Sequence, residues 1–150
     1  KIYENKKKLV FNIMSNGFYI TKDIAKRLKD LQIDFFQISI EGDEQTNDYI
    51  RGKGSFKKIT EAAKILVEEG INTSFSFTAT RLNDKEYFKV LEIAKALGVN
   101  NLWSDRLVPW GYGKEIQELQ EKSESFVKVL NEITKALIRN EKIIKYELKN

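Results

Sequence analysis

The feature that most constrains this chain is a pattern met four times: a short apolar run, a polar or glycine-bearing loop, then a stretch with helical periodicity. Its clearest instance starts at Phe36, where Phe36, Ile38 and Ile40 alternate with Gln37, Ser39 and Glu41. Period-two alternation is the mark of a strand whose two faces meet different surroundings. The chain then crosses a charged loop, Gly42-Asp43 to Tyr49-Ile-Arg-Gly-Lys-Gly-Ser55. Ser55 is read as the cap of a helix that carries Phe56, Ile59, Ala62, Ala63 and Leu66 and is closed by Gly70.

The other units follow the same grammar. Leu9, Val10, Phe11, Ile13 and Met14 form a continuous apolar run stopped by Ser15-Asn16-Gly17, which predicts a strand buried on both faces. Thr21 caps a helix with Ile24, Ala25, Leu28 and Leu31 on one side. Thr73 to Thr80 places Ser74, Ser76, Thr78 and Thr80 on one face and Phe75, Phe77 and Ala79 on the other, and Asn83 or Asp84 caps the helix of Tyr87, Leu91, Ala94 and Leu97, which ends at Gly98. Leu102 to Val108 is a fourth strand, stopped at Pro109-Trp-Gly-Tyr-Gly113, with Trp110 and Tyr112 expected to lie as a lid on the core. A long helix is expected over Ser123 to Arg139, and the tail Ile143 to Leu148 is either one more strand or a helix end.

Strands separated by helices pair in parallel, because a return to a parallel neighbour needs a crossover, and right-handed crossovers put each helix on one side. The fold class is therefore α/β. An open doubly wound sheet is apolar on both faces, whereas two of these four strands carry a hydroxyl-rich face. That points to a partial (β/α) barrel of about four parallel strands, each followed by a helix, around a polar lumen. Plain solvent exposure of the polar face is the alternative.

Composition narrows the chemistry. The 150 residues, 41% of them hydrophobic, are enough for one domain with a real core, read as 1–150. With no cysteine and no histidine, the chain has no disulfide, no thiolate ligand and no imidazole base, so no catalytic residue and no metal ligand is assigned. The 26 basic and 22 acidic residues are interspersed rather than blocked, which argues against a nucleic-acid surface. No run is long enough to span a bilayer, and a chain opening on Lys1-Ile-Tyr-Glu without a signal-peptide layout reads as cytoplasmic and as cut from something longer.

Ligands of such sheets bind at the C-terminal ends of the strands. That rim gathers Asn16 and its neighbours, Ser39 with Glu41 and Asp43, Thr78 and Thr80 with Asn83, and Leu107 with the glycines beyond it. These groups suit binding of a polar small molecule more than acid–base work. Arg51-Gly-Lys-Gly-Ser55 is not a phosphate-binding Walker loop, because Gly54 follows Lys53 directly. Arg51, beside Glu41, Asp43 and Asp48, fits either an internal ion pair or a ligand carboxylate. On this reading alone, a non-catalytic α/β module for a phosphorylated or carboxylated ligand is a second possibility.

Four motifs in order resemble the radical S-adenosylmethionine (SAM) enzymes, especially the SPASM-type peptide and sulfatase maturases. Ile13-Met-Ser-Asn-Gly17 is similar to the family's TNG strand end, Ile38-Ser-Ile-Glu-Gly42 to its SxDG, Arg51-Gly-Lys-Gly-Ser-Phe56 to its RGxGSF, and Arg106-Leu-Val-Pro-Trp-Gly111 to a later strand end. The resemblance implies roughly the third to sixth βα units of a partial barrel. Its implied cofactors are S-adenosylmethionine and a 4Fe-4S cluster, the latter held in the parent enzyme by a CxxxCxxC loop that this chain lacks. It assigns Ser39 to polar contacts with S-adenosylmethionine, Arg51 to its carboxylate and Leu107 to its adenosine, with Asn16 and Glu41 on the same rim, although Glu41 stands where aspartate is usual. The implied partner is a peptide or protein substrate of the parent. The segment alone is expected to be inactive, and its open half-barrel is expected to self-associate.

Overall fold

The computed structural model describes residues 9–120, with 127–128, 130–131 and 145–147. Five strands form one sheet in the order in which they occur, β1 (Asn12–Ser15), β2 (Phe35–Ser39), β3 (Thr73–Ala79), β4 (Asn101–Arg106) and β5 (Lys145–Glu147), and every pairing is parallel. The tail is thus a strand where it is described. Of the expected helix over Ser123–Arg139, only 127–128 and 130–131 are described, and these are helical; the rest lies outside the described residues.

Sequential order decides the architecture. A sheet that always winds onward, with right-handed crossovers, stacks its helices on one face and has no reversal point. The helices are α1 (Lys22–Asp30), α2 (Glu44–Arg51), α3 (Ser55–Glu68) and α4 (Tyr87–Leu97). Against them lie Phe36, Ile38 and Ile40 of the β2 segment, Phe75, Phe77 and Ala79 of β3, and Leu102 of β4, all buried. Ile59, Ala62, Ala63 and Leu66 of α3 and Tyr87, Val90, Leu91 and Ala94 of α4 face them, with the Phe77 and Tyr87 rings edge to face at 5.9 Å. Each large side chain so buried contributes about 1.5–3 kcal/mol. Gly17, at φ +74°, lets the first turn lie close on α3, where an added Cβ would stand 3.1 Å from that of Ala62.

The opposite face carries the polar rows expected of a lumen. Cross-strand register aligns Gln37, Ser74 and Asn101, then Ser39, Ser76 and Trp103. Ser74 and Ser76 are 5% and 7% exposed, so these hydroxyls do not face bulk water. The sheet is that of a partial α/β barrel.

Several local readings are corrected. β1 is not buried on both faces: it is the edge of the sheet, with Met14 69% and Val10 72% exposed. The charged stretch after β2 is not a loop but contains α2, whose cap is Asp43, its carboxylate accepting from the Thr46 N–H. Ser55 is the first helical residue of α3 and not its cap, which is Gly54. Neither Asn83 nor Asp84 caps α4; Glu86 stands at that position, and the Asn83 side chain is engaged elsewhere. Trp110 is 80% exposed and covers no core, its ring instead lying 5.4 Å from the Lys114 ammonium.

Ser104, beside Phe77 on the helix-facing side of β4, is buried and its hydroxyl has no hydrogen-bond partner among the described residues. A buried unpaired hydroxyl carries its desolvation cost without return. Ser104→Ala is therefore expected to stabilise the fold by about 1 kcal/mol, read as a higher urea midpoint at unchanged slope; a lower midpoint would show that the hydroxyl has a partner.

Candidate functional site

Every expected site residue sits at the C-terminal end of a strand or on the helix that follows it. The organising group among them is Glu41, two residues beyond β2 and 6% exposed. Its Oε1 accepts from Arg51 twice, from Nη2 at 2.6 Å and Nε at 3.2 Å, while Oε2 accepts from the Thr78 N–H of β3 at 3.3 Å and from Asn83 Nδ2 at 3.4 Å. Burial pushes the carboxyl above its usual value, and Arg51, the strongest opposing influence, pulls it down. Of the two roles open to Arg51, the structure shows the ion pair, and among the three nearby acids its partner is Glu41. Its Nη1 makes no hydrogen bond among the described residues, and the side chain keeps 27% of its exposure.

Two buried asparagines hold this carboxylate in place. Asn47, inside α2, accepts the Glu41 N–H at 2.9 Å and donates to Ser55 Oγ at 2.9 Å. Asn83 donates to the Glu41 and Thr78 carbonyls, both at 3.1 Å, and accepts from the Thr80 N–H at 2.7 Å and hydroxyl at 2.9 Å. The tips of β2 and β3 are thereby tied through side chains just where their ladder ends.

The other two acids do structural work. Asp43 pairs with Lys89 at 2.8 Å, Lys89 also holds Glu86 at 2.7 Å, and Glu86 in turn accepts the Asp43 N–H. Gly42, at φ +155°, permits this approach of α4, because a Cβ there would lie 2.9 Å from Glu86 Cγ. Asp48 accepts from the Gly54 and Phe56 N–H groups at 2.5 and 2.8 Å and from the Ser55 hydroxyl at 3.1 Å, so the start of α3 is capped from α2. These bonds hold the Asp48 carboxyl below the usual aspartate range.

The remaining expected residues are less engaged. Ser39, the last residue of β2, is half-buried and its hydroxyl makes no hydrogen bond among the described residues. Asn16 is exposed and closes a turn by accepting the Phe18 N–H. Leu107 is half-buried and extends the β3–β4 ladder through its N–H to the Ala79 carbonyl at 3.1 Å. Beyond it the chain folds back on β3, with the Arg81 N–H donating to the Leu119 carbonyl at 2.9 Å and a bridge between Thr80 and Gln120.

A family model described as the Radical SAM superfamily matches residues 1–94. The chain belongs to the radical SAM superfamily. A relative, the probable GTP 3',8-cyclase of Saccharolobus islandicus, is 31% identical over 124 residues, 79% of this chain and 40% of the relative. The chain thus spans 40% of the length of that curated relative. Among solved structures, native anSMEcpe with bound AdoMet aligns at TM-score 0.73 and 17% identity, over 95% of this chain and 42% of its own. Streptococcus suis SuiB bound to precursor peptide SuiA aligns at TM-score 0.74 and 13% identity, over 97% and 33%. These two likenesses establish a shared fold.

Within this radical SAM chain, residues for a cluster and residues for an organic cofactor part company. There is no cysteine or histidine in the sequence, and no group of three potential metal ligands among the described residues, so the chain does not fit a thiolate-held iron–sulfur cluster. The free Ser39 hydroxyl and the open Nη1 edge of Arg51 do fit a small molecule with hydroxyl and carboxylate groups. No helix among the described residues is long and apolar enough to cross a membrane.

The residues not foreseen are Asn47 and the true role of Asn83. A fully buried asparagine inside a helix is a poor helix former, so its presence there signals that the amide is used. The Asp48 bonds carry a pH dependence. Because the folded value is lowered, their contribution is present above the ordinary aspartate range and lost as pH falls through the lowered value. Protection of the Gly54 and Phe56 amides against hydrogen exchange should drop there, and Asp48→Asn should flatten the dependence; an unchanged profile in the variant would show that another group governs it.

Proposed function

We propose that this chain is the S-adenosylmethionine-binding part of a radical SAM enzyme that modifies a peptide or protein, equivalent to roughly the third to sixth βα units of the parent barrel. The observation that carries the reading is the pairing, on the strand-end rim of a chain of this superfamily, of an unengaged hydroxyl at Ser39 with an arginine at position 51 that has an open edge. Arg51 receives the carboxylate of the cofactor, Ser39 a polar group, and Leu107 offers apolar surface to the adenosine, with Asn16 and Glu41 on the same rim. The likeness to anSMEcpe with bound AdoMet supports the cofactor, and the likeness to SuiB bound to SuiA supports a peptide as the substrate class.

When bound, S-adenosylmethionine beside a reduced iron–sulfur cluster supplies radical chemistry, and the cluster is held by a part of the protein outside this chain. The residues here bind and orient. They include no acid–base pair and no nucleophile to transform a substrate unaided.

Calorimetric titration of the full-length protein with S-adenosylmethionine tests the assignment. Arg51→Ala and Ser39→Ala are each expected to weaken binding about tenfold or more, the loss of a charged hydrogen bond being worth about 1.5–3 kcal/mol. Wild-type affinity in both variants would refute it. The 150-residue chain, treated anaerobically with iron and sulfide, is expected to hold no stoichiometric iron and to release no 5′-deoxyadenosine, and either product would overturn the division of labour.

A further inference from the structure

We propose that Glu41 is a positioning residue: it fixes the Arg51 guanidinium by one edge so that the Nη1 edge stands ready for the carboxylate of an adenosyl amino acid. The inference rests on the reading of Arg51 given above and goes beyond it by moving Glu41 from the ligand to the arginine.

Three observations carry it. Both Arg51 contacts converge on a single carboxylate oxygen, Oε1, which leaves Nη1 without a partner among the described residues. The second oxygen, Oε2, accepts from the Thr78 N–H at 3.3 Å and Asn83 at 3.4 Å, so turning the carboxylate to release the arginine would also give up both of these contacts. Asn47 fixes the backbone of the same residue through the Glu41 N–H. Arg51 itself is the last residue of α2, followed by Gly52 at φ +99°, a place where a long side chain would otherwise sample many rotamers. An arginine already held by one edge loses less freedom when the other edge takes a ligand, since its planar fork can serve two carboxylates at once. Electrostatics alone would predict the opposite, because a second carboxylate beside Glu41 is repelled. The two accounts therefore differ in sign.

The test compares S-adenosylhomocysteine, which has the amino acid end, with 5′-methylthioadenosine, which lacks it, by calorimetry on the full-length protein. Wild type is expected to prefer the former at least tenfold, and Arg51→Ala to abolish that preference. Glu41→Gln is expected to cut the preference at least fivefold while leaving 5′-methylthioadenosine affinity within twofold. Arg51→Lys, at a partly exposed site, guards against a misfolded Glu41 variant: a point charge occupied by Glu41 has no second edge, so the preference should fall nearly as far as with alanine. A Glu41→Gln preference equal to or above the wild-type value, an equal loss of affinity for both ligands, or a preference retained in Arg51→Lys overturns the positioning role. A wild type that binds both ligands equally overturns the assignment of Arg51 itself, and the inference with it.

Discussion

Taking the Glu41 carboxylate out of water costs several kcal/mol unless its lone pairs find donors, and the way the chain meets that cost decides how its strand ends are joined. The donors come from three separate elements: Arg51 at the end of α2, the Thr78 N–H of β3, and Asn83 in the turn before α4. None is adjacent in sequence to Glu41, so satisfying one buried charge brings the tips of β2 and β3 and the exit of α2 to one point. A buried ion pair of this sort adds little net stability compared with apolar packing. What it supplies is a fixed arrangement at the strand ends of β2 and β3, where their backbone ladder has stopped.

The sheet topology explains why such an arrangement is available. Winding onward without reversal leaves a face that α1 to α4 do not cover, and the polar rows of Gln37, Ser74 and Asn101 and of Ser39, Ser76 and Trp103 lie on it. A doubly wound sheet would have covered those rows with a second helix layer and demanded apolar residues in them. The hydroxyls on β2 and β3 are thus the sequence record of a side that needs no apolar helix layer. Ser74 and Ser76 are buried, so these two do not stand on an outer surface.

This logic also explains which parts of the fold are legible in the sequence. β2 and β3 are legible, faces included, because their alternation reports two different environments, and α3 and α4 because each buries a stripe of four apolar residues and ends in a glycine turn. α2 looks like a loop in the sequence because it has no such stripe. Its apolar residues Tyr49 and Ile50 are exposed, and its buried residue is Asn47, so hydrophobic periodicity carries no signal there. The run before Ser15 misled in the other direction, since continuous apolar residues do not distinguish a central strand from an edge strand of a parallel sheet. At Asn83 the local pattern suggests a helix cap, because capping is the commonest use of asparagine before a helix, and its rim position is legible too, whereas its bonds to residues 41, 78 and 80 depend on a contact that no local pattern encodes. Arg51 marks the limit of chemical reasoning from sequence: three acids lay within reach, and only the fold assigned Asp43 to Lys89 and Asp48 to the start of α3, leaving Glu41.

The separation between the two faces bears on how a chain of this superfamily can diverge. Stability resides mainly in the apolar layer between sheet and helices, where Ile38, Phe75 and Phe77 meet Ile59, Leu66 and Tyr87. The groups proposed to bind stand at the strand ends and just after them, and in the loops Tyr19 and Trp110 are exposed and contribute little to that layer. Changes in those loops can alter what is recognised without disturbing the packing that holds the barrel together. Glu41 is the exception, because it lies at the rim yet is buried and ties three elements. A substitution there acts on both layers at once, and for that reason its effect on ligand recognition is separable from its effect on folding only through ligands that differ in the group Arg51 is held ready to meet.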